Sequence, residues 1–127
     1  MYQNRLSLIG FTGKDGEQKF TQNGVPFTIL SVATKASWKN KDTGVWESRT
    51  EWHRIVAWSK LGEFALSLKS GAHVQIEGEL RSREYQKDGI NHRVWECKAS
   101  RIAKLDRIER ADDSTPAGEA TDDQPSF

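Results

Sequence analysis

Val45-Trp-Glu-Ser-Arg-Thr-Glu-Trp-His-Arg-Ile-Val-Ala-Trp58 is the stretch on which the fold turns. In an extended strand successive side chains point to opposite faces, so Trp52, Arg54, Val56 and Trp58 share one face and Glu51, His53, Ile55 and Ala57 the other. One face therefore mixes indole with guanidinium. Buried arginine is rare without a partner, so Arg54 argues that its face, and Trp52 with it, stays accessible. Trp46 and Trp95 carry no such argument and are read as core residues.

Downstream, Ser59 is placed to cap a helix running through Ser70, with Leu61, Phe64, Ala65 and Leu68 at helical spacing and Gly71 as its stop. It is short and amphipathic, suited to plugging one end of a barrel. His73 to Gln86 then alternates: Val74, Ile76 and Leu80 face one way, and Gln75, Glu77, Glu79, Arg81, Arg83 and Tyr85 the other. Gly78 interrupts the apolar face, where a bend is expected. Lys87-Asp-Gly89 supplies a hairpin turn, and the chain returns as a strand from Ile90 to about Ala103.

Upstream, residues 4 to 11 read as a strand whose apolar parity switches between Leu8 and Ile9, followed by the turn Gly13-Lys-Asp-Gly16. Val25 to Lys35 has apolar residues on both parities, Phe27 and Ile29 against Leu30 and Val32, which predicts cover on both faces. A second subunit is one candidate for that cover. Ser37 to Gly44, with Trp38, Lys39 and Lys41, reads as a long polar loop.

The predicted order is three strands, a helix and two strands, an all-β chain with the element order of a five-stranded Greek-key barrel of OB type. A split barrel of another closure has the same order. Residues 1–105 form this domain. From Asp106 to Phe127 there is no branched apolar or aromatic residue between Ile108 and Phe127, and the segment is expected to be a disordered acidic tail.

Charge divides in the same place. Met1 to Leu105 holds 17 Lys or Arg against 11 Asp or Glu, while Asp106 to Phe127 holds 2 against 7. A cationic body suits a polyanionic partner, and an anionic tail either screens that body or seeks another basic surface. A lone cysteine, Cys97, makes no intrachain disulfide, and no apolar run approaches the roughly 18 residues of a membrane span. The expected location is the cytoplasm.

Unpaired nucleic acid presents flat bases and one phosphate per nucleotide, so a non-specific binder needs aromatic platforms among fixed positive charges. The faces carrying Trp52, Arg54 and Trp58, and Arg81, Arg83 and Tyr85, have that composition, and Trp38 with Lys39 adds a third patch. Three scattered histidines, His53, His73 and His92, show no metal-ligand spacing, and neither a P-loop nor a dinucleotide fingerprint is present. No catalytic residue, metal or cofactor is expected.

With these residues in view, the chain resembles the bacterial single-stranded DNA-binding proteins over roughly residues 3 to 105 and at its extreme C-terminus. The resemblance rests on Thr50-Glu-Trp-His-Arg-Ile-Val-Ala-Trp-Ser-Lys-Leu61, Ala36-Ser-Trp38, Ile76-Glu-Gly-Glu-Leu-Arg81 and Asn4-Arg-Leu-Ser-Leu-Ile-Gly10. It implies that Trp38, Trp52, Trp58 and Tyr85 stack on bases, and that Arg54, Lys60, Arg81 and Arg83 meet phosphates; Lys39 joins the expected DNA-binding surface by its place beside Trp38. It also implies a subunit-interface role for His53, a homotetramer, a nucleoid-associated location and a part in replication, recombination and repair.

Family members end in an acidic tip closing on Pro-Phe that recruits other replication and repair proteins, and Asp122, Asp123, Pro125 and Phe127 echo it. Here Ser126 separates Pro125 from Phe127, and Gln124 stands where a branched residue is usual. Glu84 is an acid beside an aromatic position where the family often has a base. The linker from Asp106 to Thr121 spans only roughly 20–24 Å as a flexible coil. An OB-type subunit that docks proteins, and an RNA-binding barrel of cold-shock type, share much of this composition.

Overall fold

The computed structural model describes residues 1–106. The elements are β1 (Leu6–Thr12), β2 (Glu17–Phe20), β3 (Pro26–Lys39), β4 (Trp46–Trp58), α1 (Ser59–Leu66), β5 (His73–Lys87) and β6 (Ile90–Lys104). Five strands close a barrel in the order β1-β5-β6-β4-β3, and β3 returns to β1 through Phe11↔Ala33 and Thr12↔Val32. Every pairing is antiparallel except β4 with β6, which run parallel at Ile55↔Cys97 and Val56↔Lys98. This closure is the Greek-key OB barrel predicted from the sequence.

Alternation decides what the barrel contains. Leu30 and Val32 of β3, Ile55 and Ala57 of β4, Val74 and Ile76 of β5, and Cys97, Ala99 and Ile102 of β6 meet in one buried cluster. Burial of each large aliphatic member contributes on the order of 1.5–3 kcal/mol. The helix closes one end, bringing Ala65 into the cluster, with Leu68 following from the turn beyond it. Thr28 Oγ1 donates to the Gly62 carbonyl at 2.7 Å, which ties β3 to α1 and satisfies a buried hydroxyl.

Two glycine-linked features follow the sequence reading. The β5–β6 register shifts between Glu77 and Gly78, leaving Ser100 as the extra residue of a bulge, and Ser100 Oγ donates to the Glu77 carbonyl at 3.1 Å. A Cβ on Gly78 would stand 2.1 Å from the Lys98 carbonyl oxygen, so only glycine lets the strands approach there. At the hairpin tip Asp88 and Gly89 have φ of 54° and 79°, the left-handed pair that a two-residue turn requires.

Several expectations need correction. The short strand β2 was not foreseen, because Glu-Gln-Lys-Phe is fully exposed and pairs only with β3. The helix ends at Leu66 rather than Ser70, and Ser67 and Leu68 close it by tight bonds to Phe64 and Ala65. Ser59 is not its cap: it is the first helical residue, at φ 56°, where the chain turns sharply out of β4, and Trp58 occupies the cap position without a side-chain bond. Phe64 lies exposed, so the buried helix stripe is narrower than its apolar residues suggested.

The predicted loop at 37–44 is shorter than expected: β3 continues through Lys39, which places Ser37, Trp38 and Lys39 in strand, and the turn occupies residues 40–45. The doubly apolar segment of β3 finds its outer cover within the single chain: Ile29 and Val56 lie side by side and buried, next to a Phe27–Trp58 ring pair. A second subunit is not needed to explain it.

Asp106, where the sequence reading starts the tail, accepts from the His73 backbone N–H at 3.0 Å, and Leu105 N–H donates to the His73 carbonyl at 2.7 Å. The remaining tail, with Asp122, Asp123, Pro125 and Phe127, lies outside the described residues. No helix among the described residues is long and apolar enough to cross a membrane.

Candidate functional site

The β3–β4 ladder runs unbroken from Phe27↔Trp58 to Lys39↔Trp46, so directly opposed residues share a face along its whole length. On the outer face stand Phe27 with Trp58, Ile29 with Val56, Ser31 with Arg54, and Ala33 with Trp52. Trp52 is 59% exposed. Its ring lies over Gly13, where a Cβ would come within 2.5 Å of Cζ3, so the β1–β2 turn forms the floor beneath the indole. Trp58 is half-buried, its ring 4.8 Å from that of Phe27 and tilted by 33°, so it offers less open surface than Trp52.

Glu96 carries this face onto the next two strands. Arg54 Nε donates to Glu96 Oε1 at 3.1 Å, and Arg83 Nε reaches the same oxygen at 3.4 Å. The carboxylate side chain is only 14% exposed, while the arginines are 36% and 47% exposed. One largely covered anion thus holds guanidiniums from β4 and β5 in a common surface and leaves their other N–H groups for an incoming anion. Sequence inspection missed Glu96, because nothing local marks it; its position follows from the parallel β4–β6 register.

Arg81, Arg83 and Tyr85 alternate onto this same face. Arg81 Nε pairs with Glu79 at 2.8 Å, and the Tyr85 ring stacks on His92 with centroids 5.2 Å apart. Glu84 belongs to the opposite face, where Arg93 Nη2 donates to it at 2.6 Å. It is adjacent to Tyr85 in sequence but not on the surface, so its charge is directed away from the aromatic.

Other candidates fall elsewhere. Trp38 is 44% exposed and opposes Glu47, on the ribbon face away from Trp52, whereas Lys39 shares the Trp52 face and opposes Trp46. Lys60 is exposed in the first turn of α1, with no described bond to the strand surface. His53 is half-buried on the barrel side of β4, its Nε2 sharing a hydrogen bond with Thr34 Oγ1 at 2.9 Å.

The expectation that Trp46 and Trp95 are core residues is wrong: they are 68% and 58% exposed. Both sit on hairpin arms beyond the barrel, where no interior exists to receive them. Trp95 opposes Ser82, on the face of Leu80 and Arg93, turned away from Arg83. Among the described residues, no group of His, Cys, Asp and Glu is arranged to hold a metal ion. Burial pushes the Cys97 thiol above its ordinary pKa, which keeps it protonated and inert.

The chain is similar in sequence and fold to known proteins. A protein of Xylella fastidiosa (strain 9a5c), Single-stranded DNA-binding protein 1, is 40% identical over 104 residues, covering 80% of this chain and 76% of the relative. The structure of a Plasmodium falciparum SSB complex with ssDNA superposes with a TM-score of 0.71 at 26% identity, over 84% of this chain and 97% of that one. A deletion mutant of the single-stranded DNA binding protein from Thermus aquaticus shares the fold, with a TM-score of 0.69 at 23% identity, over 82% of this chain and 51% of the other. The Single-strand binding protein family matches residues 3–105, and the chain belongs to that family.

Proposed function

We propose that the protein binds single-stranded DNA without sequence preference and has no enzymatic activity. Bases stack on Trp52, Trp58, Trp38 and Tyr85, and Lys39, Arg54, Lys60, Arg81 and Arg83 meet phosphates. The observation that carries this reading is the shared outer face of β4, β5 and β6, where Trp52 adjoins Arg54 and one carboxylate joins Arg54 to Arg83. Stacking on each aromatic contributes on the order of 1–3 kcal/mol per base, so a few platforms suffice without reading base edges. The Plasmodium falciparum relative is a complex with ssDNA, which supports the same ligand here.

On this reading the protein covers exposed strands during replication, recombination and repair, in the cytoplasm and at the nucleoid. It works as a homotetramer. Support for self-association comes from β1, whose Leu6–Gly10 stretch pairs with β5 but not with β3, leaving a strand edge beside the exposed side chains of Ile9 and Phe11. The domain of residues 1–105 binds DNA, and the acidic tail of residues 106–127 recruits protein partners through Asp122, Asp123, Pro125 and Phe127.

The test is anisotropy of labelled oligo-dT, with matched RNA and duplex DNA as competitors. Oligo-dT binds, duplex competes poorly, and deletion of Ala120 to Phe127 leaves oligo-dT binding intact while removing capture of repair proteins. Absence of oligo-dT binding at moderate salt would refute the reading.

A further inference from the structure

We infer that Trp46, at the outer end of β4, is an additional base-stacking platform that extends the DNA track beyond the barrel along the β3–β4 arm. The inference rests on the single-stranded DNA reading above. Its basis is the uninterrupted register: no bulge occurs between Trp58 and Trp46, so Trp46, Trp52 and Trp58 occupy one face at intervals of six residues. At the rise of an extended strand, each interval is roughly 20 Å.

The surroundings of Trp46 are those of a nucleic-acid contact. It opposes Lys39, and the same face continues through Ser37 with Ser48 and Lys35 with Thr50 before reaching Ala33 with Trp52. Lys35 and Lys39 form no ion pair among the described residues, in contrast to Arg54, Arg81 and Arg83. The arm from Lys35 to Thr50 holds Lys35, Lys39, Lys41 and Arg49 against Asp42 and Glu47. Glu47 lies on the other face and accepts from Asn40 Nδ2 at 3.2 Å, so no carboxylate from the arm shares the face of Trp46.

An indole 68% exposed on a two-stranded arm has no core to stabilise. With Lys39 directly opposite and Lys35 farther along the same face, it presents an open π-face near positive charge, the combination that receives an unpaired base and its phosphates. An apolar protein surface is the competing occupant, and it would have to cover both lysines as well.

The experiment measures binding of oligo-dT of graded length to the full chain and to Trp46→Ala and Trp46→Phe, with melting temperature and sedimentation for each. The shortest strand that binds should be held equally by all three. Strands long enough to reach the arm should bind Trp46→Ala about tenfold more weakly, with Trp46→Phe close to the parent. Equal binding of Trp46→Ala and parent at every length would overturn the inference, as would a changed oligomeric state at unchanged DNA affinity. If the parent chain itself binds no length, the single-strand reading fails, and this inference falls with it.

Discussion

Arg54 of β4 reaches Glu96 of β6 at 3.1 Å, and Arg83 of β5 shares the same carboxylate oxygen at 3.4 Å. This oxygen is the junction of the candidate surface. It offsets the mutual repulsion of two arginines, and on the proposed DNA-binding reading it competes with phosphate for them. Glu96→Gln should therefore lower stability modestly, by about 1 kcal/mol as befits a partly exposed pair. It should also tighten oligo-dT binding at low salt and steepen the log–log salt dependence by about 0.7. Affinity measured across a salt series checks both; an unchanged slope would show that Glu96 does not compete with DNA.

Trp52 and Trp58 are predicted to separate function from folding. Trp52→Ala should weaken oligo-dT binding by about 5- to 150-fold, the equivalent of 1–3 kcal/mol, and leave the melting temperature nearly unchanged. Trp58→Ala removes both a platform and the partner of Phe27, so it should weaken binding and also cost about 2 kcal/mol of stability. Thermal denaturation beside binding isotherms distinguishes the two.

Gly13 bears on the same indole from below. A methyl group at this position would meet the far end of the Trp52 ring rather than backbone, so the ring moves and the fold does not. Gly13→Ala is expected to preserve the melting temperature within about 1 kcal/mol of stability. It should alter tryptophan emission and reduce oligo-dT affinity several-fold.

Much of this surface was legible before the structure, for reasons tied to strand geometry. The period of two is rigid, so Trp52, Arg54 and Trp58 could be assigned to one face without knowing their neighbours, and Asp88-Gly89 and Gly78 mark backbone conformations few other residues supply. What was missed depends on tertiary placement. Composition does not distinguish an indole in a core from one on a projecting arm, hence the errors at Trp46 and Trp95. Glu96 acquires its role only through strands far apart in sequence, and β2 has no apolar face to announce it.

Ser59 holds a left-handed conformation that costs a residue with a Cβ about 1–2 kcal/mol, and glycine recovers part of this while losing more chain entropy on folding. Ser59→Gly should raise stability by up to about 1 kcal/mol, read from the denaturant midpoint, and leave oligo-dT affinity unchanged.

Cys97 supplies the pH prediction. Its thiol is buried and its pKa raised, so the folded state favours the protonated form. That contribution is fully present below the ordinary thiol pKa of about 8.5 and is lost as pH rises through the higher folded value. Stability should decline on the alkaline side, and Cys97→Ala should lessen that decline. Iodoacetamide at pH 8 should label Cys97 only after denaturation.

The most direct test of the central claim is titration of intrinsic tryptophan fluorescence with oligo-dT at two salt concentrations, on the parent chain and on Trp52→Ala. Stacking in a basic groove predicts strong saturable quenching that shifts to higher oligo-dT at higher salt and is reduced by the substitution. No quenching at either salt would contradict it, because the exposed indoles of Trp38, Trp46 and Trp52 would then be meeting something other than bases.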